Sequence, residues 1–167
     1  MPADPSRGGG WTRGVRLGID VGKVRVGVAK CDPDGILATP VATVLRQSPD
    51  LPTAEDAAEG RVPTDLREIV RLIGEYEAVE VVIGLPVTLA GIEGLSAIYA
   101  RAYAQVIALL ISPIPVTLAD ERMSTAVASR RLSELGVRGR RQRMVVDQAA
   151  AVEILQRWLD ERRRTHD

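Results

Sequence analysis

The chain has no phenylalanine, one cysteine and one histidine among its 167 residues. A single cysteine, Cys31, leaves no internal disulfide framework and points to a reducing, cytoplasmic setting. With one Cys and one His (His166), zinc sites built from these residues are excluded. Ser-His-Asp and Cys-His mechanisms are excluded with them. Aromatic residues make up 3% of the chain, too few for stacking on splayed bases to be the main device of any nucleic-acid recognition. No apolar run reaches the roughly 18 residues of a membrane span, which speaks against a membrane partner. Met1 to Trp11 lacks the apolar core of a signal peptide. Hydrolytic chemistry in such a chain has to rest on carboxylates, best placed to act by holding a metal.

What is present begins with 46% hydrophobic and 26% charged residues, the balance of a globular chain with a real core. Its length suits a single domain. Basic and acidic residues number 22 each, yet they are unevenly spread. Residues 1–31 hold six basic and two acidic side chains, and residues 32–80 hold four and eleven. Residues 81–120 hold one and two, and residues 121–167 hold eleven and seven. Positive charge therefore collects at both ends of the chain, which a compact fold can bring together. Apart from Lys23 and Lys30, every basic residue is arginine, whose planar fork matches phosphate oxygens in pairs. A GC-rich genome would produce the same bias.

Residues 1–13 read as a disordered, glycine-rich tail, and residues 14–163 as one domain. Alternating apolar residues predict strands over 16–20, 24–31 and 36–45, joined by tight turns into an antiparallel meander. Residues 46–64 hold three prolines and mixed charge and read as a surface loop or insertion, mobile against the rest. Helical spacing of Leu66, Ile69, Val70 and Ile73 predicts a helix over 65–76. The apolar run 80–85 suits a central parallel strand ended by Gly84-Leu85-Pro86. A helix over 95–110, a strand over 115–119, a helix from Ser124 to about Leu135 and a last helix over 145–163 complete the chain. The order β-β-β-α-β-α-β-α-α predicts an α/β fold with a five-stranded mixed sheet, three antiparallel strands then parallel ones, flanked by helices.

Three acidic positions stand out. Asp20 ends the first strand within Gly18-Ile19-Asp20-Val21-Gly22, where it either faces a cleft or caps a turn. Asp120-Glu121-Arg122 follows the fifth strand directly, at the strand end where α/β folds gather ligands. Alternation keeps Asp120 and Glu121 from pointing the same way while the strand lasts. The same pair would also suit the positive end of a following helix. Asp147 opens the final helix, as its cap or as a third ligand. Arg138-Gly139-Arg140-Arg141-Gln142-Arg143, between the last two helices, is either a solvated linker or a phosphate clamp.

Together these segments resemble the YqgF/RuvX family of Holliday-junction-resolvase-like nucleases. The likeness covers nearly all of residues 15–161. It rests on Gly18 to Gly22 with Arg25 to Ala29, on Val82-Ile83-Gly84-Leu85-Pro86 with Gly91 and Gly94, on Asp120 to Arg122 with Ser124 and Thr125, and on Asp147 with Ala149, Ala150, Leu155 and Trp158-Leu159-Asp160. The resemblance implies an RNase H-like three-layer fold. It also implies a catalytic, metal-holding set of Asp20, Glu121 and Asp147, with Mg²⁺ or Mn²⁺ as the cofactor. The reaction implied is endonucleolytic cleavage of the pre-16S rRNA 5′ end or of a four-way DNA junction. Lys23, Arg25, Arg122, Arg138, Arg140, Arg141 and Arg143 are the residues expected to hold the nucleic acid. A junction resolvase cuts two strands symmetrically and so implies a homodimer. The chain departs from the family at Val87-Thr88-Leu89-Ala90-Gly91, where relatives carry Asn, Met and Asp before the glycine. A nucleic-acid-binding module of the same fold with little catalysis is the alternative reading. An actin-like phosphotransferase also begins with strand-Asp-x-Gly, but that class encloses its nucleotide between two such domains.

Overall fold

The computed structural model describes residues 10–123 and 140–166. The elements are β1 (Arg16–Val21), β2 (Arg25–Cys31), β3 (Ala38–Leu45), α1 (Ala54–Ala58), α2 (Thr64–Glu75), β4 (Glu80–Thr88), α3 (Leu95–Ile111), β5 (Val116–Met123) and α4 (Arg140–His166). The helix expected from Ser124 to Leu135 lies outside the described residues. None of the described helices is long and apolar enough to cross a membrane.

The strands form one sheet in the order β3-β2-β1-β4-β5. β1, β2 and β3 pair antiparallel, whereas β4 runs parallel to both β1 and β5. This is the mixed sheet expected from the sequence. Alternate strand residues pack in opposite directions. Leu17, Ile19, Val26, Val28, Val81 and Ile83 join Leu66, Ile69, Tyr103 and Ile107 of α2 and α3 on one face. Ala29, Cys31, Ala38 and Val82 join Ala151, Ile154, Leu155 and Leu159 of α4 on the other. The second core is built from small strand residues, so α4 lies close against the sheet.

Several boundaries differ from the sequence expectation for identifiable reasons. β3 begins at Ala38 rather than Ile36, because Asp32 Oδ1 takes the backbone N–H of Ile36 at 3.0 Å and of Leu37 at 2.7 Å. β4 continues through Pro86 to Thr88. Its pairing with β1 ends at Ile83, so the missing proline N–H costs no bond on that side. β5 continues to Met123 and takes Asp120 and Glu121 into the sheet.

The segment 46–64 is an organised connection with a helix of its own, α1, capped by the Thr53 side chain. Its anchor is Arg46, which donates to the carbonyls of Lys23 at 3.2 Å and Asp50 at 2.6 Å. The Arg46 guanidinium also lies over the Tyr99 and Tyr103 rings and 3.8 Å from the buried Asp65 carboxylate. At the far end of the sheet, Glu80 holds Arg16 and accepts from the Thr117 hydroxyl at 2.8 Å.

Cys31 is 2% exposed, and its sulfur accepts from the Arg16 backbone N–H at 3.3 Å. Burial pushes its thiol above the ordinary range, so little thiolate forms near neutrality. The native chain is expected to release less than about 5% of its thiol to an aromatic disulfide reagent within minutes, and all of it once unfolded. Rapid reaction in the folded state would show that Cys31 is accessible.

Candidate active site

Glycines mark which side of the sheet each acidic residue occupies. A Cβ built on Gly18 would meet Leu155 Cβ of α4 at 2.6 Å, so Gly18 faces α4. Asp20, two residues on, shares that face. Its partner on β2 is Gly27. A Cβ there would stand 2.1 Å from the Asp147 carbonyl oxygen, an impossible approach for any other residue. The backbone of α4 thus rests on the sheet at Gly27, directly across from Asp20.

β4 lies between β1 and β5, and its register aligns Ile19 with Ile83, which sets Asp20 beside Gly84. The separation is one strand spacing, about 4.8 Å. A Cβ on Gly84 would meet Ile154 Cδ1 at 2.6 Å and Glu121 Oε2 at 3.3 Å. Glu121, 8% exposed on β5, therefore reaches over Gly84 on the α4 face. Asp120 alternates to the opposite direction and is exposed. Of the two adjacent acids left open by the sequence, Glu121 is the one on the α4 face.

Asp147 was expected to open the final helix. It lies two turns inside α4 instead, since the helix starts at Arg140. Its carboxylate is therefore not used as a cap. Oδ2 accepts from Arg25 Nε at 2.6 Å, with both side chains about four-fifths buried. Arg25 starts β2 and shares the α4 face with Gly27. Lys23 is exposed in the β1–β2 turn, which is closed by the Gly22 N–H donating to the Arg25 carbonyl at 2.9 Å. Arg138 lies outside the described residues, and so do the side chains of Arg122, Arg140, Arg141 and Arg143.

One end of one sheet face thus carries Asp20, Glu121 and, from the helix above, Asp147. Carboxylate oxygens are the donors that Mg²⁺ and Mn²⁺ prefer. The bare α-carbon of Gly84 keeps the floor beneath Glu121 open. Among the described residues no three Asp, Glu, His or Cys side chains stand grouped tightly enough to cage an ion as they are. Asp147 is engaged with Arg25. Sequence reasoning placed Arg25 near the substrate but missed this pair, whose members are 122 residues apart. The signal was present in β2, where Arg25 and Gly27 alternate onto the face that carries Asp20.

The family profile of RuvX, described as a Holliday junction resolvase, matches residues 14–161. The chain belongs to the RuvX family. Among its relatives, a protein of Rhodococcus erythropolis is 54% identical over 155 residues, covering 91% of this chain and 81% of the relative. One of Streptomyces avermitilis is 50% identical over 154 residues, covering 92% and 90%. Both carry the name "Putative pre-16S rRNA nuclease". Among solved structures, Thermus thermophilus RuvC in complex with a Holliday junction substrate aligns over 91% of this chain and 97% of its own, with a TM-score of 0.52 and 18% identity. That likeness is one of fold, and it agrees with the RNase H-like, three-layer arrangement expected from the sequence. The RuvX chain is thus a member of a nuclease family on an RNase H-like frame.

Proposed function

We propose that this RuvX chain is a divalent-metal-dependent endonuclease that hydrolyses phosphodiester bonds in structured nucleic acid. The observation supporting this is the placement of Asp20, Glu121 and Asp147 at one end of the α4 face. In this reading the three acids are the catalytic residues and hold Mg²⁺ or Mn²⁺. The cation, when bound, supplies activation of the attacking water and stabilisation of the leaving oxygen. Asp20 and Glu121 orient from strands, which fixes them more firmly than loops would. Glu121 is buried and lies over Gly84 together with Ile154. Lys23, Arg25, Arg122, Arg138, Arg140, Arg141 and Arg143 neutralise the phosphate backbone, a mode of recognition that needs few aromatics.

The relatives' names favour the 5′ end of pre-16S rRNA as substrate, in the cytoplasm, and the family description favours a four-way DNA junction. Junction resolution would take two copies of the chain, whereas rRNA trimming need not. The deciding experiment offers both substrates with and without Mg²⁺ and measures the mass of the complex. Metal-dependent cuts in either substrate support the nuclease reading. Binding without cuts in both would establish the non-catalytic module.

Phosphate-led recognition has a salt signature. Six or so neutralised phosphates imply that affinity falls about 10³-fold between roughly 50 and 200 mM salt. A fall of less than about fivefold, measured by fluorescence anisotropy, would remove the arginine segment from the interface.

A further inference from the structure

The ion pair between Arg25 and Asp147 stands where the proposed metal chemistry needs an unencumbered carboxylate. Arg25 Nε donates to Asp147 Oδ2 at 2.6 Å, and the two side chains are 18% and 20% exposed. A carboxylate that far from water requires a positive partner. In the fold as described, that partner is a guanidinium. Both ends of the pair are held by backbone: Arg25 by the closed β1–β2 turn, Asp147 by the contact of its own carbonyl with Gly27. The pair is therefore built into the crossing of β2 and α4, unlike the exposed pairs Arg61–Asp56 and Arg71–Glu68.

We propose that Arg25 is the resident counter-cation of Asp147, displaced when a divalent cation enters. The inference rests on the metal-dependent reading above. Carboxylate oxygens are the donors a divalent cation takes, and its double charge competes with the single charge of the guanidinium for Asp147. Once it is bound, like charge repels the guanidinium. The released fork stays on β2, at the edge of the site, where a substrate phosphate offers it matching oxygens. Arg25 is thus a positioning residue that alternates between an acid of the site and the nucleic acid. This coupling makes metal binding and substrate binding mutually favourable, because each draws on the opened pair.

The test reads metal binding, without substrate, by the paramagnetic signal of free Mn²⁺. Arg25→Gln removes the competing charge and is expected to tighten Mn²⁺ binding about tenfold, while the gain in affinity for a nucleic acid duplex on adding Mn²⁺ shrinks. Arg71→Gln, which removes an exposed charge on α2, across the sheet from α4, is expected to change Mn²⁺ affinity less than twofold. In an Asp147→Asn background, Arg25→Gln is expected to have no further effect on Mn²⁺, as a double-mutant cycle demands of a direct pair. Thermal unfolding of each variant confirms that the folded chain is being titrated. If Arg25→Gln does not fold, Arg25→Met serves, since it removes the same charge and keeps the length of the side chain. Unchanged or weaker Mn²⁺ binding in the folded Arg25 variants overturns the displacement alone. Failure of the unaltered chain to bind Mn²⁺ at millimolar concentration overturns the metal-dependent reading with it.

Discussion

Asp20→Asn is expected to lower the single-turnover cleavage rate by about 10³-fold and to leave nucleic-acid affinity unchanged or slightly higher. The substitution is nearly isosteric, and Asp20 is half-buried on β1 with Gly27 across from it and Gly84 beside it. Fold and stability should therefore be almost unaffected. What changes is charge: an amide oxygen is a poor donor to a hard cation, and one fewer negative charge faces the phosphate. The two readouts move in opposite directions only if Asp20 belongs to the catalytic set. Parallel loss of cleavage and binding would mean that Asp20 shapes the surface rather than the chemistry. Retained cleavage would remove Asp20 from the mechanism.

Much of this site can be read from the chain because its strands are short and strictly alternating. Gly18 and Asp20 on β1, with Gly27 on β2, already specify a face if the hairpin register is right. The register comes from a two-residue turn at Lys23 and Val24, closed by Gly22 and Arg25, whereas a turn at Gly22 and Lys23 would have set Asp20 opposite Arg25 instead of Gly27. The apolar run before Gly84 likewise marks a strand buried on both faces. Three things were hidden. The directions in which Asp120 and Glu121 point needed the true end of β5, which local propensity places too early because two acids look like a helix start. The role of Asp147 needed the true start of α4, which begins at Arg140 in a stretch of arginines that carries no apolar period. The organisation of residues 46–64 depended on Arg46 meeting Asp65 of α2 and Tyr99 and Tyr103 of α3. Contacts at such separations leave no trace in a local pattern.

The hairpin glycine gives the largest structural effect. Gly27→Ala is expected to cost about 3 kcal/mol or more of stability, against the few tenths typical of a surface substitution. The added methyl would lie 2.1 Å from the Asp147 carbonyl oxygen and 2.7 Å from its carbonyl carbon. Both are helix backbone and cannot rotate aside as a side chain would. Relief requires α4 to lift from β2. That movement would part Arg25 from Asp147 and carry Asp147 away from Asp20, so the surviving folded fraction should also lose cleavage. Gly84→Ala provides the contrast. Its methyl would meet Ile154 Cδ1, the end of a flexible side chain, so about 1 kcal/mol is expected. Its main effect should be on chemistry, through crowding beneath Glu121. Chemical denaturation of the two variants measures the difference. Equal costs would mean that α4 does not rest on the sheet at Gly27, and the alignment of Asp147 with Asp20 would have no structural basis.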